Sequence, residues 1–166
     1  PSHAAIDLPS FIWRGDIGGV SLPVRKPLPH LSPTWVGAGA TYFLTICASE
    51  RGRNVLCGPE IAAELLAAAE YYHVAGDWHC RLFLLMPDHV HAIAAFPAEI
   101  AMQRWVRKIK IYAARKTGVR WQRDFFDHRL RNPEEVDLKA GYIRQNPVRA
   151  NWVATPDAWP WQWSPP

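Results

Sequence analysis

Two histidines stand two apart in Met86-Pro87-Asp88-His89-Val90-His91-Ala92-Ile93, a run that otherwise reads as a buried strand. Side chains alternate faces along a strand, so His89 and His91 project one way and Val90 and Ala92 the other. Two imidazoles fixed side by side on a rigid strand are two thirds of a divalent-metal site. They also fit a pair of satisfied structural histidines, and the strand alone does not separate the two readings. A second candidate lies on a C-terminal helix with Leu138, Tyr142 and Asn146 at spacing four and an apolar stripe of Val136, Ala140 and Ile143. At about 100° per residue, Tyr142 falls roughly 120° from that stripe and Asn146 about 40° from Tyr142. Tyr142 is therefore not a simple core aromatic. It projects beside an amide whose carbonyl oxygen can ligate a metal, and Gln145 is the other amide within reach. A tyrosine hydroxyl can attack phosphorus when it is positioned and a metal polarises the phosphate. A half-buried tyrosine with a hydrogen-bonded hydroxyl is the plainer reading.

The third feature is charge. Arg104, Arg107, Lys108, Lys110, Arg115, Lys116, Arg120 and Arg123 fall in one stretch without an acidic residue, although the whole chain carries a formal charge of only +4. Such a local basic surface suits a polyanion, most simply nucleic acid; the bland alternative is a solvated helix face. Nine tryptophans is a high number for 166 residues. Some fill the core, and others can offer flat faces to unpaired bases.

These side chains need a scaffold. A chain of 166 residues, 49% hydrophobic, suits one domain with a real core. No apolar run has transmembrane length and no signal segment stands out, so a membrane partner is not expected. Cys47, Cys57 and Cys80 form no CxxC pair and are odd in number. That argues against a disulfide framework or a structural zinc site, and for a reducing, cytoplasmic setting.

Residues 1–39 are rich in Pro and Gly and read as an extended arm, with Arg14, Arg25 and Lys26 as cations that packing or DNA recognition could use. A catalytic domain is expected over 40–154 and a Trp/Pro-rich tail over 155–166. Within the domain, Thr41–Cys47 reads as a strand and Pro59–His73 as a helix. Trp78–Leu85 and His89–Phe96 read as a hairpin turning at Pro87-Asp88, which puts the histidines near the middle of the sheet. Pro97–Thr117 reads as a helix stopped at Gly118, and Phe125–Leu130 as a strand or extended segment. A last helix opens at Asn132-Pro133-Glu134-Glu135 and is stopped near Asn146 by Pro147. That order is an α+β, ferredoxin-like (RRM-like) antiparallel sheet with helices mainly on one face.

Several blocks in this order resemble a known family. Met86-Pro87-Asp88-His89-Val90-His91 looks like a metal-binding strand motif, and Trp121 to Arg131 like a central block. Gly141-Tyr142-Ile143-Arg144-Gln145-Asn146-Pro147-Val148-Arg149-Ala150 looks like a tyrosine helix and its exit, and Trp159-Pro160-Trp161 like a C-terminal ending. Together they resemble the REP-associated tyrosine transposases, a branch of the single-tyrosine transposases of the HUH nuclease class, over residues 41–161. The resemblance implies that His89 and His91 ligate a divalent cation, Mg²⁺ or Mn²⁺. Tyr142 would be the nucleophile, Asn146 the third protein ligand, and His128 a residue near the DNA or the active site. Many insertion-sequence relatives carry Gln where Asn146 stands, and the long N-terminal arm departs from the pattern. Tyr112, on the basic helix, does not match the nucleophile and is its main competitor.

The implied activity is metal-dependent nicking and joining of single-stranded DNA beside a hairpin, by a monomer or homodimer, through a 5′-phosphotyrosine link. The Arg104–Arg123 stretch would track phosphates. Three other readings compete: a nucleic-acid-binding module that does not cut, a metal phosphodiesterase using activated water, and a rolling-circle initiator or relaxase. The short chain and single candidate tyrosine fit the last poorly.

Overall fold

The computed structural model describes residues 39–97 and 102–166; the expected arm up to residue 38, with Arg14, Arg25 and Lys26, lies outside the described residues. The elements run β1 (Thr41–Cys47), α1 (Pro59–Val74), β2 (His79–Met86), β3 (His89–Ala95), α2 (Met102–Thr117), β4 (Phe126–Leu130), α3 (Pro133–Arg144), α4 (Asn146–Arg149) and β5 (Gln162–Trp163). The strands form one antiparallel sheet in the order β4-β1-β3-β2-β5. The fold is α+β, as expected.

β3 is the central strand, paired along its length with β1 on one side and β2 on the other. Its histidines are central across the sheet, but they stand at the start of the strand, next to the hairpin turn. Register sorts the two faces. Cys47 lies opposite His89, Thr45 opposite His91, and Phe43 opposite both Ile93 and His128. Directly opposed residues share a face, so Phe43, Thr45, Cys47, His89, His91, Phe126 and His128 all project from one side.

Leu44, Ile46, Val90, Ala92 and Phe83 project from the other side, and every one of them is buried. α1 and α2 cover this side. Trp78 stacks on Trp105 of α2 with centroids 3.8 Å apart, and its edge meets Phe83 at 5.9 Å. Tyr72 of α1 meets Trp105 at 6.4 Å. α3 contacts β2, β3 and β4, and its Lys139 reaches Phe43 on the histidine side. Two helices therefore back the sheet, while the tyrosine helix crosses the face that carries the histidines.

The start of α3 follows from its sequence. Asn132 accepts the Glu135 N–H at 2.8 Å, and the Glu135 carboxylate accepts the Arg131 N–H at 2.8 Å. Two otherwise unpaired donors are thereby satisfied. The end of α3 differs from expectation. Pro147 does not stop the chain; it sits in the first turn of α4, where a missing N–H costs nothing. Gln145 between the helices keeps right-handed helical angles, so the path continues past Tyr142.

The segment 155–166 is not a separate tail. Gln162 and Trp163 pair with Leu84 and Phe83 as a fifth strand. Trp159 is 1% exposed and donates its indole N–H to the Leu85 carbonyl at 2.8 Å. Period-two alternation does not reveal β5 because only two residues pair. Trp159→Ala should lower unfolding free energy by about 3–5 kcal/mol, the cost of emptying a buried aromatic site. Urea denaturation checks this; a loss below about 1 kcal/mol would mean that the segment is dispensable to the fold.

Candidate active site

The imidazoles of His89 and His91 meet at their Nε2 atoms, 3.2 Å apart. Each ring is held from behind. The Asp88 carboxylate lies 2.6 Å from His89 Nδ1, and the Thr45 hydroxyl lies 3.0 Å from His91 Nδ1. A neutral ring that keeps its proton on Nδ1 donates to these oxygens and leaves Nε2 with a free lone pair. Two such lone pairs then point at each other and repel unless a cation lies between them. Two nitrogens at about 2.0–2.1 Å from one ion stand roughly 2.8–3.4 Å apart for ligand angles between octahedral and tetrahedral, so the pair fits a divalent metal. Among the described residues no cluster of three His, Cys, Asp or Glu side chains surrounds such an ion. From the described residues, a further protein ligand would therefore be an amide oxygen, beside water or substrate oxygens.

The electrostatics of His91 agree with a neutral donor. His91 is 8% exposed, and burial, reinforced by the neighbouring His89, pushes its pKa down to about 3. For Asp88, burial works to raise the carboxyl pKa. The hydrogen bonds from His89 and from the Gly52 N–H, with Arg51 close by, outweigh burial and hold it below its usual value. Gly52 donates to Asp88 at 2.7 Å, and Arg51 forms a 3.2 Å ion pair with it. Asp88 thus remains an anionic acceptor for His89. Spacing in the sequence did not single out Asp88, Thr45 or Gly52. The position of Asp88 beside His89 was the available hint; Thr45 emerges only from strand register.

Tyr142 is 49% exposed, whereas Val136 and Ile143 of the same helix are buried. The expected apolar stripe and the displacement of the tyrosine from it are both present. A short relay of contacts links Tyr142 to the histidines. Phe43 packs on His91 with centroids 5.3 Å apart. The Lys139 ammonium lies 5.0 Å from the Phe43 ring and 5.2 Å from the Tyr142 ring. Arg149 covers the Tyr142 ring at 4.2 Å and donates to the Tyr142 carbonyl at 2.8 Å. Asn146 is half-buried at the head of α4, and no hydrogen bond joins it to either imidazole. His128 is exposed on β4 beside Phe43. Tyr112 is placed differently: it lies on α2, behind the sheet, and donates to Glu64 of α1 at 2.9 Å.

The basic stretch divides. Arg104, Arg107, Lys108, Arg115 and Lys116 line an open groove of about 580 Å³ with Tyr72 and Tyr112, on the face away from the histidines. Lys108 also pairs with Asp77 and lies 4.5 Å from the Tyr72 ring. Arg120 forms a 3.4 Å pair with Glu50. Lys110 departs from the expected phosphate-tracking role: it donates to the carbonyls of Gln122, Arg123 and Asp124 at 2.9–3.1 Å. Its ammonium has three donors, and all are engaged in pinning this loop. The pinned loop meets the end of β1, with Gln122 N–H donating to the Cys47 carbonyl at 2.9 Å. Arg120 and Arg123 therefore stand at the end of the sheet where His89 lies.

No protein-family model matches the chain. It is 31% identical over 128 residues to the REP-associated tyrosine transposase of Escherichia coli (strain K12), an alignment spanning 74% of each protein. Among solved structures, one of a REP-associated tyrosine transposase bound to a REP hairpin superposes with a TM-score of 0.63. Its sequence identity is 24%, and the match covers 86% of this chain and 82% of the other.

The buried His91 generates a pH dependence with a definite sign. Its folded pKa is depressed to about 3, so the unfolded chain binds the proton first. Stability is fully present above the unfolded value near 6.5 and falls as the pH drops toward the folded one. Metal-free protein should lose about 1.4 kcal/mol per pH unit through this group between roughly pH 6 and 4.5. His91→Gln should flatten that slope in urea titrations, and an unchanged slope would show that His91 is not the group responsible.

Proposed function

The chain belongs to the REP-associated tyrosine transposases, and from that premise we propose that it nicks and rejoins single-stranded DNA beside a hairpin through a covalent link to Tyr142. The observation that carries this reading is the shared face: the converging His89 and His91 nitrogens and the exposed Tyr142 are connected through Phe43 and Lys139. The competing tyrosine, Tyr112, is committed to Glu64 on the far side of the sheet.

His89 and His91, with Asn146 as the amide one helical turn beyond Tyr142, would hold Mg²⁺ or Mn²⁺. When bound, that ion supplies Lewis-acid polarisation of the scissile phosphate and a fixed orientation for it. Asp88 and Thr45 keep both imidazoles in the donor tautomer. The Tyr142 oxygen attacks phosphorus along the line of the departing 3′-oxygen. The new O–P bond forms as the P–O3′ bond breaks, and the phenolic proton passes through solvent to the 3′-oxygen. The products are a 5′-phosphotyrosine and a free 3′-hydroxyl. An incoming 3′-hydroxyl reverses the same exchange and joins strands, because the aryl ester keeps the phosphodiester bond energy.

DNA contact can extend from this face to the back of the sheet. Arg104, Arg107 and Arg115 line the groove on α2, and the chain leaving α2 carries Arg120 and Arg123 to the His89 end, so both sets are offered to phosphates. A REP hairpin is the ligand in the solved relative and suits this arrangement. Phe126, 36% exposed and 5.9 Å from Phe43, offers a ring on which an unpaired base can stack.

Incubation with Mn²⁺ and an end-labelled hairpin oligonucleotide taken from beside the gene should give an SDS-resistant protein–DNA adduct. Tyr142→Phe and His89→Ala should abolish it, and Tyr112→Phe should leave it intact. Cleavage without an adduct that survives in Tyr142→Phe would replace the nucleophile by activated water. Thr45→Val should weaken Mn²⁺ binding about 10–100-fold by calorimetry. Replacing Arg104, Arg107 and Arg115 together by Ala should lower the salt dependence of hairpin binding by about 0.9 for each duplex phosphate that these cations neutralise; an unchanged slope would remove the groove from the DNA path.

A further inference from the structure

Two cations gather at the Tyr142 ring. Lys139 lies 5.2 Å and Arg149 4.2 Å from one phenol ring. Neither forms an ion pair with a carboxylate among the described residues. Lys139 comes from α3, one turn before Tyr142, and Arg149 from α4, where Gln145 keeps the chain helical and brings it back over the ring. Arg149 is anchored by donating to the Tyr142 carbonyl at 2.8 Å, so its guanidinium is fixed relative to the tyrosine backbone. Lys139 is set between Tyr142 and Phe43, the ring that packs on His91.

Two like charges gathered at one half-exposed ring repel each other. The ring quadrupole attracts each of them only modestly. An anion between them removes the repulsion, and charge-assisted hydrogen bonds from Lys and Arg to phosphate oxygens are strong. We propose that Lys139 and Arg149 form a phosphate clamp around the Tyr142 hydroxyl, binding the scissile phosphodiester and then the aryl phosphate diester joined to Tyr142. The inference rests on Tyr142 being the nucleophile and adds the groups that stabilise charge on the transferred phosphate. Lys139 sits on the histidine side of the ring and guides the substrate toward the His89–His91 pair. Arg149 neutralises the phosphate once it is joined to Tyr142.

The test has two arms. In single-turnover reactions with the hairpin oligonucleotide and Mn²⁺, Lys139→Gln combined with Arg149→Gln should slow adduct formation about 100-fold, the scale for losing a charge-stabilising donor. Lys139→Arg combined with Arg149→Lys should recover most of that rate. Rescue by the charge-conserving pair is a result that loss of packing would not give. Adduct formation by the double Gln variant at the wild-type rate would overturn the clamp. The second arm does not depend on chemistry. In a Tyr142→Phe background, binding of single-stranded dT12 should lose salt dependence by about 0.7 for each cation removed. If wild-type protein forms no adduct, the nucleophile assignment fails and this arm decides alone: a reduced slope keeps the phosphate site, and an unchanged slope removes it.

Discussion

Everything at the candidate site depends on β3 being hydrogen-bonded on both edges. A strand paired on one side can slip, and a slip of one residue would turn His89 and His91 to the opposite face. Here β1 and β2 lock the register from both sides, and buried Val90 and Ala92 hold the alternate positions against the α1–α2 layer. The imidazoles are then oriented by residues of two neighbouring segments, Thr45 on β1 and Asp88 in the turn. Register, core packing and ring orientation are one constraint expressed at three scales.

The two faces of the sheet divide the labour. The back carries the large aromatic core under α1 and α2, where Trp78, Trp105 and Phe83 lie within a few ångströms of one another. Most of the apolar burial that stabilises the domain is there. The front carries the polar groups, with Tyr142 half-exposed there. α3 docks through Val136 and Ile143, which leaves Tyr142 half-exposed. The C-terminal segment helps the front indirectly: β5 and Trp159 close the β2 edge, which steadies the strand paired with β3.

Much of this was legible from residue patterns because period-two alternation and capping signals are local. The His-x-His strand, the N-cap at Asn132 and the off-stripe position of Tyr142 all follow from spacing within one element. What was not legible depended on contacts between elements. Thr45 becomes a partner of His91 only through register, and the opposite placement of α3 from α1 and α2 has no local signal. Lys110 reads as one more phosphate-binding cation because composition does not reveal that three loop carbonyls occupy its ammonium. Pro147 reads as a stop, yet the chain uses it to begin α4, and that turn returns Arg149 to Tyr142. The two-residue β5 is too short to show alternation. The family resemblance joins the histidine strand and the tyrosine helix without any geometry; the relay through Phe43 and Lys139 supplies a physical reason for that link.

The central claim is that the histidine pair and Tyr142 serve one metal-centred site while Tyr112 does not. Paramagnetic broadening by Mn²⁺ measures this without any DNA. With histidine and tyrosine rings labelled for NMR, substoichiometric Mn²⁺ should broaden the His89, His91 and Tyr142 ring signals and leave Tyr112 sharp. Broadening of Tyr112 with Tyr142 unaffected, or no selective broadening of the two histidines, would contradict the account.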